Sequence, residues 1–436
     1  MGGLVLTVKP DEKDTWVEYC KETNRLDDLI VLERNGDHQF NFLDYEYNRT
    51  GEGSGITDNI VNVLKTVINS GKSDQGQRTN EGFWEDALDM LLFNVVDLCV
   101  LAFGKLKIDD LYQAVQNLPK SISDVTQPSA ETNDPFAQIL YKAKLNVAKS
   151  AEKRKREFLK DNPDQDYDVK ADKELAAFKK VMHYFMSDFP NLSDKTRSVV
   201  EHSFFGLLFR LIREPIKTLI CSPTPNFSPD DCFKGKIILI NLPIKQFDKV
   251  GRDVQILFKY VWQRAMERRT KSDNKAPVFL WADEAQNFLH EHDIDYQATA
   301  RSSKVCTVYL TQNIPNYYAH LGGRSGEFRV KSFLGTMGTK IFHANADMET
   351  NKYASELIGQ HAIWKENEGS QFVGGFTMSE GASQDRDFII HPENFTVMRT
   401  GSTVNSFIVD ARIHRQGNPW FSTGRNDRRI SFKQKT

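Results

Sequence analysis

The sequence is short of the residues that build metal sites and covalent frameworks. Its five cysteines, Cys20, Cys99, Cys221, Cys232 and Cys306, are odd in number, and none forms a Cys-x-x-Cys pair or stands beside a pair of histidines. That spacing argues against zinc and for a reducing compartment. No apolar run reaches the roughly 20 residues that span a bilayer; the longest, Met90 to Gly104, is interrupted by Asn94 and Asp97. A signal peptide, a low-complexity tract and an internal repeat are missing too. Taken by itself, the chain is expected to be cytosolic. It also lacks an excess of one charge: 57 Lys and Arg against 59 Asp and Glu give a formal net charge of −2. A protein that gathers nucleic acid through its overall charge is thereby excluded, and only local patches remain. Two exist, Lys149 to Lys160 and Arg412 to Lys435 with Arg415, Arg425, Arg428, Arg429 and Lys433 between. Each reads first as a solvated face or a loose terminus, as charge runs usually are.

At 436 residues the chain exceeds one compact core of ordinary size, which implies two to three domains. Short, nearly continuous apolar runs, the pattern of strands buried on both faces, occur at Lys236 to Leu242, Val278 to Ala282, Cys306 to Leu310 and Lys340 to His343. Between the first two, Val254, Leu257, Phe258, Val261 and Ala265 recur at helical spacing while Arg264, Arg268 and Arg269 fall elsewhere, predicting an amphipathic crossover helix over Gly251 to Arg269. A β-α-β unit with a parallel crossover follows. Met348 to Ile358 adds another short helix, so the C-terminal half reads as a doubly wound α/β layer with a mostly parallel sheet. Earlier strands are expected at Leu4 to Val8 and Leu29 to Glu33. Long helical patterns then occupy Phe83 to Phe103, Ile108 to Leu118, Pro135 to Lys160, Asp172 to Met186 and Ser193 to Arg213. The resulting scheme is an α/β domain in two parts, residues 1–76 and 216–436, interrupted by an all-α insert at 77–215. The runs Phe372 to Met378 and Thr403 to Val409 are candidates to pair as strands near the end.

Chemistry concentrates after the strand Val278 to Ala282, which delivers two adjacent carboxylates, Asp283 and Glu284, at its C-terminal end, where ligands bind in open α/β sheets. Phosphoanhydride hydrolysis uses one carboxylate to hold Mg²⁺, largely through water, and a second group to orient and deprotonate the attacking water. Asp283 suits the first role and Glu284 the second; a strand end with two solvated acids is the plainer alternative. The next strand ends in Thr311 and Gln312, and an amide there suits sensing of a γ-phosphate or the attacking water, or simply a turn. Arg301, among Ala300, Ser302, Ser303 and Lys304, suits either a guanidinium that reaches a neighbouring subunit's phosphate or a helix C-terminal arginine favoured by the dipole.

In this order, Asp283 with Glu284, Arg301 to Lys304, and Thr311 with Gln312 resemble the RecA-type motor of TraG/TraD-like coupling proteins of conjugative type IV secretion, relatives of the FtsK and HerA DNA pumps. The Gly251 to Arg269 helix, the Phe83-Trp84 start of the helical insert and the Lys340 to Gly359 strand and helix extend the resemblance over nearly the whole chain. It implies ATP and Mg²⁺ as cofactors, with magnesium ligation at Asp283, catalysis at Glu284, sensing at Gln312 and a trans-acting finger at Arg301. Single-stranded DNA with its relaxase, other subunits in a hexameric ring and secretion-channel proteins are the implied partners. The intact protein is expected at the cytoplasmic face of the bacterial inner membrane. Another translocase of the FtsK/HerA type, or a fragment that only binds DNA and partners, are the alternatives; the helical insert favours the coupling protein.

One departure from the family is serious. No segment reads GxxxxGK followed by Ser or Thr, the loop whose backbone N–H groups cradle phosphates. The nearest, Gly71-Lys72-Ser73, has Thr66 where the first glycine belongs and reads as a helix C-terminal turn. Gly51, Gly53 and Gly55 form a glycine-rich loop with no lysine after it. In the family the loop precedes the strand that resembles Leu4 to Val8 and follows membrane helices. The expectation is therefore an N-terminally truncated product, a clone fragment or one half of a split gene.

Overall fold

The computed structural model describes residues 1–435 except 50, 52, 71–80, 122–123, 125–127, 164, 270–275, 291, 322–325 and 373–375, and of residues 70, 81–82, 170, 366–372 and 376–381 it describes the backbone alone. Gly71-Lys72-Ser73 lies outside the described residues. In chain order the elements are β1 (Gly3–Leu6), α1 (Glu12–Glu22), β2 (Leu29–Glu33), α2 (Phe42–Asn48), α3 (Thr57–Ser70), α4 (Glu81–Phe103), α5 (Ile108–Gln116), α6 (Pro135–Asp161), α7 (Lys173–His183), α8 (Asp194–Leu211), α9 (Ile216–Ile220), β3 (Ile237–Asn241), α10 (Ile244–Glu267), β4 (Val278–Ala282), α11 (His292–Thr299), β5 (Val305–Tyr309), α12 (Ile314–Leu321), α13 (Gly326–Thr336), β6 (Thr339–His343), α14 (Met348–Ile358), β7 (Gln360–Phe372), β8 (Phe376–Phe388), β9 (Ile408–Arg415) and β10 (Asp427–Lys433). The chain folds into two units, one of residues 1–283, 287–292 and 299–309 and one of residues 284–286, 293–298 and 310–436.

The first unit is built on a five-stranded sheet in the order β2-β3-β1-β4-β5, every pair parallel. Parallel strands must be covered on both faces, and β1 obeys: Leu4, Val5 and Leu6 are fully buried. On one face Val5, Ile237, Leu239 and Phe279 pack with Cys20 and Trp16 of α1, Trp16 stacking on Phe279 at 5.7 Å between ring centroids. Each such apolar side chain contributes about 1.5–3 kcal/mol of burial. The expected crossover helix is α10, which begins earlier than its apolar spacing suggested and contains a non-helical residue, Asp248. It joins β3 to β4, which pair with either side of β1 rather than with each other. Gly251 permits its close approach, because a Cβ there would stand 2.6 Å from the Leu242 carbonyl oxygen. Buried Gln255 of α10 then takes the N–H of Thr7 at 2.7 Å and donates to the carbonyls of Thr7 and Leu242 at 2.9 and 2.8 Å. The amide thus satisfies the backbone where β1 and β3 end, a place no ladder bond reaches.

Helices α3 to α9 lie between β2 and β3 in the chain, and α4 packs against α3, α5, α6, α7 and α8. Three begin on side-chain caps: Asp134 accepts from Phe136 N–H, Asp172 from Glu174 and Leu175, and Ser193 from Thr196. Among the described residues no single helix is long and apolar enough to cross a membrane. The basic run at 149–160 falls on α6, where Lys153 and Arg156 pair with Glu157 and Glu152, and Arg154 with Asp172 and Glu174.

The second unit corrects two expectations. Lys340 to His343 belongs to β6, which does not extend the parallel layer but pairs antiparallel with β9 in a three-stranded sheet ordered β10-β9-β6. Its exposure alternates, the signature of a strand covered on one face only. Phe342 on the covered face packs against Ala354, Ile390 and Phe395. Phe372 to Met378 does not pair with Thr403 to Val409: Phe372 ends β7 and opposes Phe376 of β8 in a separate hairpin, while residues 403–405 form a 3-10 turn. Within β9, fully buried Asp410 is held by Arg399 at 2.8 and 2.9 Å and, from β10, by Arg429 at 2.8 Å and Ser431 at 2.7 Å. These partners keep its carboxyl far below the usual carboxylate range, the Arg399 hydrogen bond contributing most.

Candidate functional site

Asp283 follows β4 directly, because Ala282 is the last buried residue of the strand. Parallel pairing sets Leu6 opposite Ala282, so the turn leaving β1 lies beside the turn leaving β4. From it Lys9 places its Nζ 3.8 Å from Asp283 Oδ2, both side chains substantially exposed. An ion pair so exposed adds little stability. Glu12, the first residue of α1, folds back onto the same turn and accepts the N–H groups of Val8 and Lys9 at 3.2 and 3.0 Å. Burial raises the Glu12 carboxyl above its ordinary value, with the Asp283 charge adding to the rise.

One residue further the backbone changes hand. Glu284 has φ 47°, the left-handed region that a residue with a Cβ enters at a cost of roughly 1–2 kcal/mol. Its conformation is maintained from both sides in the second unit. The N–H of the next residue, Ala285, donates to the Leu310 carbonyl at 2.8 Å. The Glu284 carboxylate accepts from Gln312 Nε2 at Oε1, 2.8 Å, and from Gln286 Nε2 at Oε2, 2.7 Å. Gln286 is buried, and its Oε1 accepts the Thr311 hydroxyl at 2.9 Å. The Gln312 carbonyl in turn accepts from Asn345 Nδ2 at 2.7 Å, and Asn351 Nδ2 donates to the Asn345 carbonyl at 2.9 Å. The N–H of Ile314, two residues past Gln312, donates to Thr350 Oγ1 of α14 at 2.9 Å.

Glu284 and Gln312, two residues singled out in the sequence, are therefore in direct contact. Thr311 was named beside Gln312 only as part of the strand-end motif, and Gln286 and Asn345 were not singled out, no local signal pointing to either. Arg301 sits exposed on the turn before β5, where Lys304 N–H donates to the Arg301 carbonyl at 3.1 Å, and it forms no ion pair among the described residues. Within the second unit the chemistry on offer is a carboxylate, Glu284, oriented by two amides on a strained backbone. Among the described residues no group of three or more His, Cys, Asp or Glu is placed to hold a metal ion. A single carboxylate suits an ion bound mainly through water, as magnesium is, and does not suit a caged metal.

Residues 277–399, the segment holding all four site residues, match the protein family described as the TraM recognition site of TraD and TraG. All of the chain aligns in structure with the plasmid coupling protein TrwB: with TrwB in complex with a non-hydrolysable ATP analogue the TM-score is 0.56 over 79% of that chain at 12% identity. With TrwB in complex with ADP and Mg²⁺ the TM-score is 0.54 over 79% of that chain, again at 12% identity. For the unbound bacterial conjugative coupling protein TrwBΔN70 it is 0.52 over 79% of that chain, at 12% identity. No curated protein matches the chain in sequence. The chain has the RecA-like α/β fold of these proteins and resembles type IV secretion coupling ATPases.

Proposed function

We propose that this chain is the nucleotide-hydrolysing part of a conjugative coupling protein, moving single-stranded DNA and its attached relaxase toward a type IV secretion channel. The observation that carries the reading is the strained Glu284, whose carboxylate is oriented by Gln312 from the neighbouring strand tip and by buried Gln286. A carboxylate with both oxygens occupied by amide donors keeps a fixed aim, and a fixed base at the end of a parallel strand suits deprotonating a water.

Asp283 would hold Mg²⁺ through water; when bound, the ion neutralises charge on phosphate oxygens. Glu284 orients and deprotonates the attacking water. Gln312 either grips Glu284 or turns toward a γ-phosphate, and because its carbonyl is tied to Asn345, that exchange is passed to the loop ahead of α14. Arg301, exposed and in no ion pair among the described residues, acts on a nucleotide held by the next subunit of a ring, taken as a hexamer. Residues 77–215 serve as the insert that meets cargo, and residues 1–76 and 216–436 as the motor. A full set for ATP also requires a phosphate-cradling loop, and no segment of the sequence fits one. That gap favours a second reading, a subunit that binds DNA and partners without hydrolysing.

One experiment separates the two. ATP hydrolysis is measured on the product of the whole open reading frame, with any residues encoded in frame ahead of Met1, in the presence and absence of single-stranded DNA. Hydrolysis that Glu284→Gln abolishes supports the motor; hydrolysis that survives the substitution removes Glu284 from catalysis, and none at all leaves the binding subunit.

A further inference from the structure

The C-terminal basic run has no place in that mechanism, yet its geometry is that of a binding surface. Residues 412–436 contain seven Lys and Arg against one acidic residue, Asp427, in a chain whose net charge is −2. Asp427 pairs with Arg412 and Arg425, and Asp410 with Arg399 and Arg429. Two guanidinium groups are left with no ion pair among the described residues, Arg415 of β9 and Arg428 of β10, and both lie over the ring of Trp420, at 4.6 and 5.5 Å from its centroid. In the antiparallel register Arg428 opposes Ile413, two residues from Arg415, so the pair shares the face of the sheet that also carries Ile341 and Phe432. The loop presenting Trp420 is a closed turn: its N–H donates to the Arg425 carbonyl and its carbonyl accepts from Gly424, each at 2.8 Å. The next residue, Phe421, is fully exposed.

From this juxtaposition we infer that the β9–β10 hairpin is a single-stranded nucleic-acid site, with Phe421 stacking on a base while Arg415 and Arg428 meet the phosphates. The inference deepens the proposed function, on which it rests, by assigning the surface that holds the strand. Guanidinium planes pre-oriented over an indole and free of carboxylates are matched to a polyanion, and an exposed aromatic ring stacks on any base. A lipid surface fits less well, since beside the fully exposed Phe421 the apolar Ile341 and Phe432 of this face are only about half exposed and Trp420 is partly covered. In the other basic run, at 149–160, three of the six basic side chains, Lys153, Arg154 and Arg156, pair with acids on and beside their own helix, and among the described residues no aromatic ring is held between arginines there.

The test uses the purified 436-residue protein, without nucleotide, and a fluorescent oligo(dT) followed by anisotropy at several salt concentrations. Phe421→Ala removes an exposed side chain and leaves the thermal midpoint unchanged, and it is expected to weaken oligo(dT) binding by roughly 5- to 100-fold. Arg428→Gln is expected to lower the slope of log affinity against log salt by about 0.7, one phosphate contact on a single strand. Affinity unchanged in both variants overturns the site while leaving the proposed function to its own hydrolysis test. Loss confined to binding of phosphatidylglycerol vesicles, with oligo(dT) binding intact, overturns it in favour of a lipid contact.

Discussion

Gln312 Nε2 lies 2.8 Å from Glu284 Oε1, so the tip of β5 carries a donor for the carboxylate that follows β4. The two residues are 28 apart in sequence, and parallel pairing of their strands makes them neighbours. If the contact aims a catalytic base, Gln312→Ala leaves nucleotide affinity within about 2-fold but lowers turnover roughly 10²-fold, whereas Glu284→Gln lowers it by about 10²–10⁴-fold. Steady-state hydrolysis with a parallel nucleotide-binding titration checks both; a change confined to KM would mean Gln312 only binds.

The left-handed backbone at Glu284 has its own signature. Glu284→Ala and Glu284→Gly both remove the carboxylate and strand the Gln286 amide equally, so their difference isolates the backbone. The glycine variant is expected to be more stable than the alanine variant by about 1 kcal/mol, visible in chemical denaturation. Equal stability would show that the strain is not there.

Arg301 is exposed and joins no ion pair among the described residues, so Arg301→Ala is expected to leave stability within about 0.5 kcal/mol. Because it is proposed to act on a neighbour's nucleotide, mixing Arg301→Ala with Glu284→Gln subunits restores part of the hydrolysis that each lacks alone. Mixtures that stay inactive at every ratio count against a trans role.

Asp410 makes the second unit sensitive to acid. Its pKa is depressed in the fold, so the stability it confers is complete above the ordinary carboxylate value near 4 and is lost as pH falls below it. Asp410→Asn is expected to lower stability at pH 7 by on the order of 2 kcal/mol, since Arg399 and Arg429 lose a buried partner, and to flatten the acid limb. Denaturation curves at pH 7 and in the range below 4 read both effects.

Gly251→Ala drives a methyl group against the Leu242 carbonyl, 2.6 Å away, and against Phe247 Cβ at 2.8 Å. Backbone on one side leaves little to give, so a loss of about 1–3 kcal/mol is expected despite alanine's higher helix propensity. A midpoint equal to or above that of the unsubstituted protein would mean α10 shifts freely.

Short apolar runs rich in β-branched residues announce strands, and β2 and β4 were legible to the residue, β3 and β5 to within one, although only β3 and β4 are buried nearly throughout while β2 alternates and β5 is half-exposed. The helix starts expected near Pro135, Asp172 and Ser193 hold, and the structure shows each secured by a local bond between a side chain and a backbone N–H two or three residues away. The adjacency of Asp283 and Glu284 at a strand end needed no structure either. Partner choice is another matter, because period and propensity describe a strand's faces and not its edges. Lys340 to His343 was readable as a strand, but only the tertiary structure set it antiparallel to β9. The hand of the backbone at Glu284 depends on bonds from Leu310, Gln312 and Gln286. Asn345 reaches Gln312 from 33 residues away, and the Trp420 ring is flanked by arginines brought together by the β9–β10 register. These contacts are long-range, and local sequence carries no energy term for a contact that exists only once the chain has closed on itself.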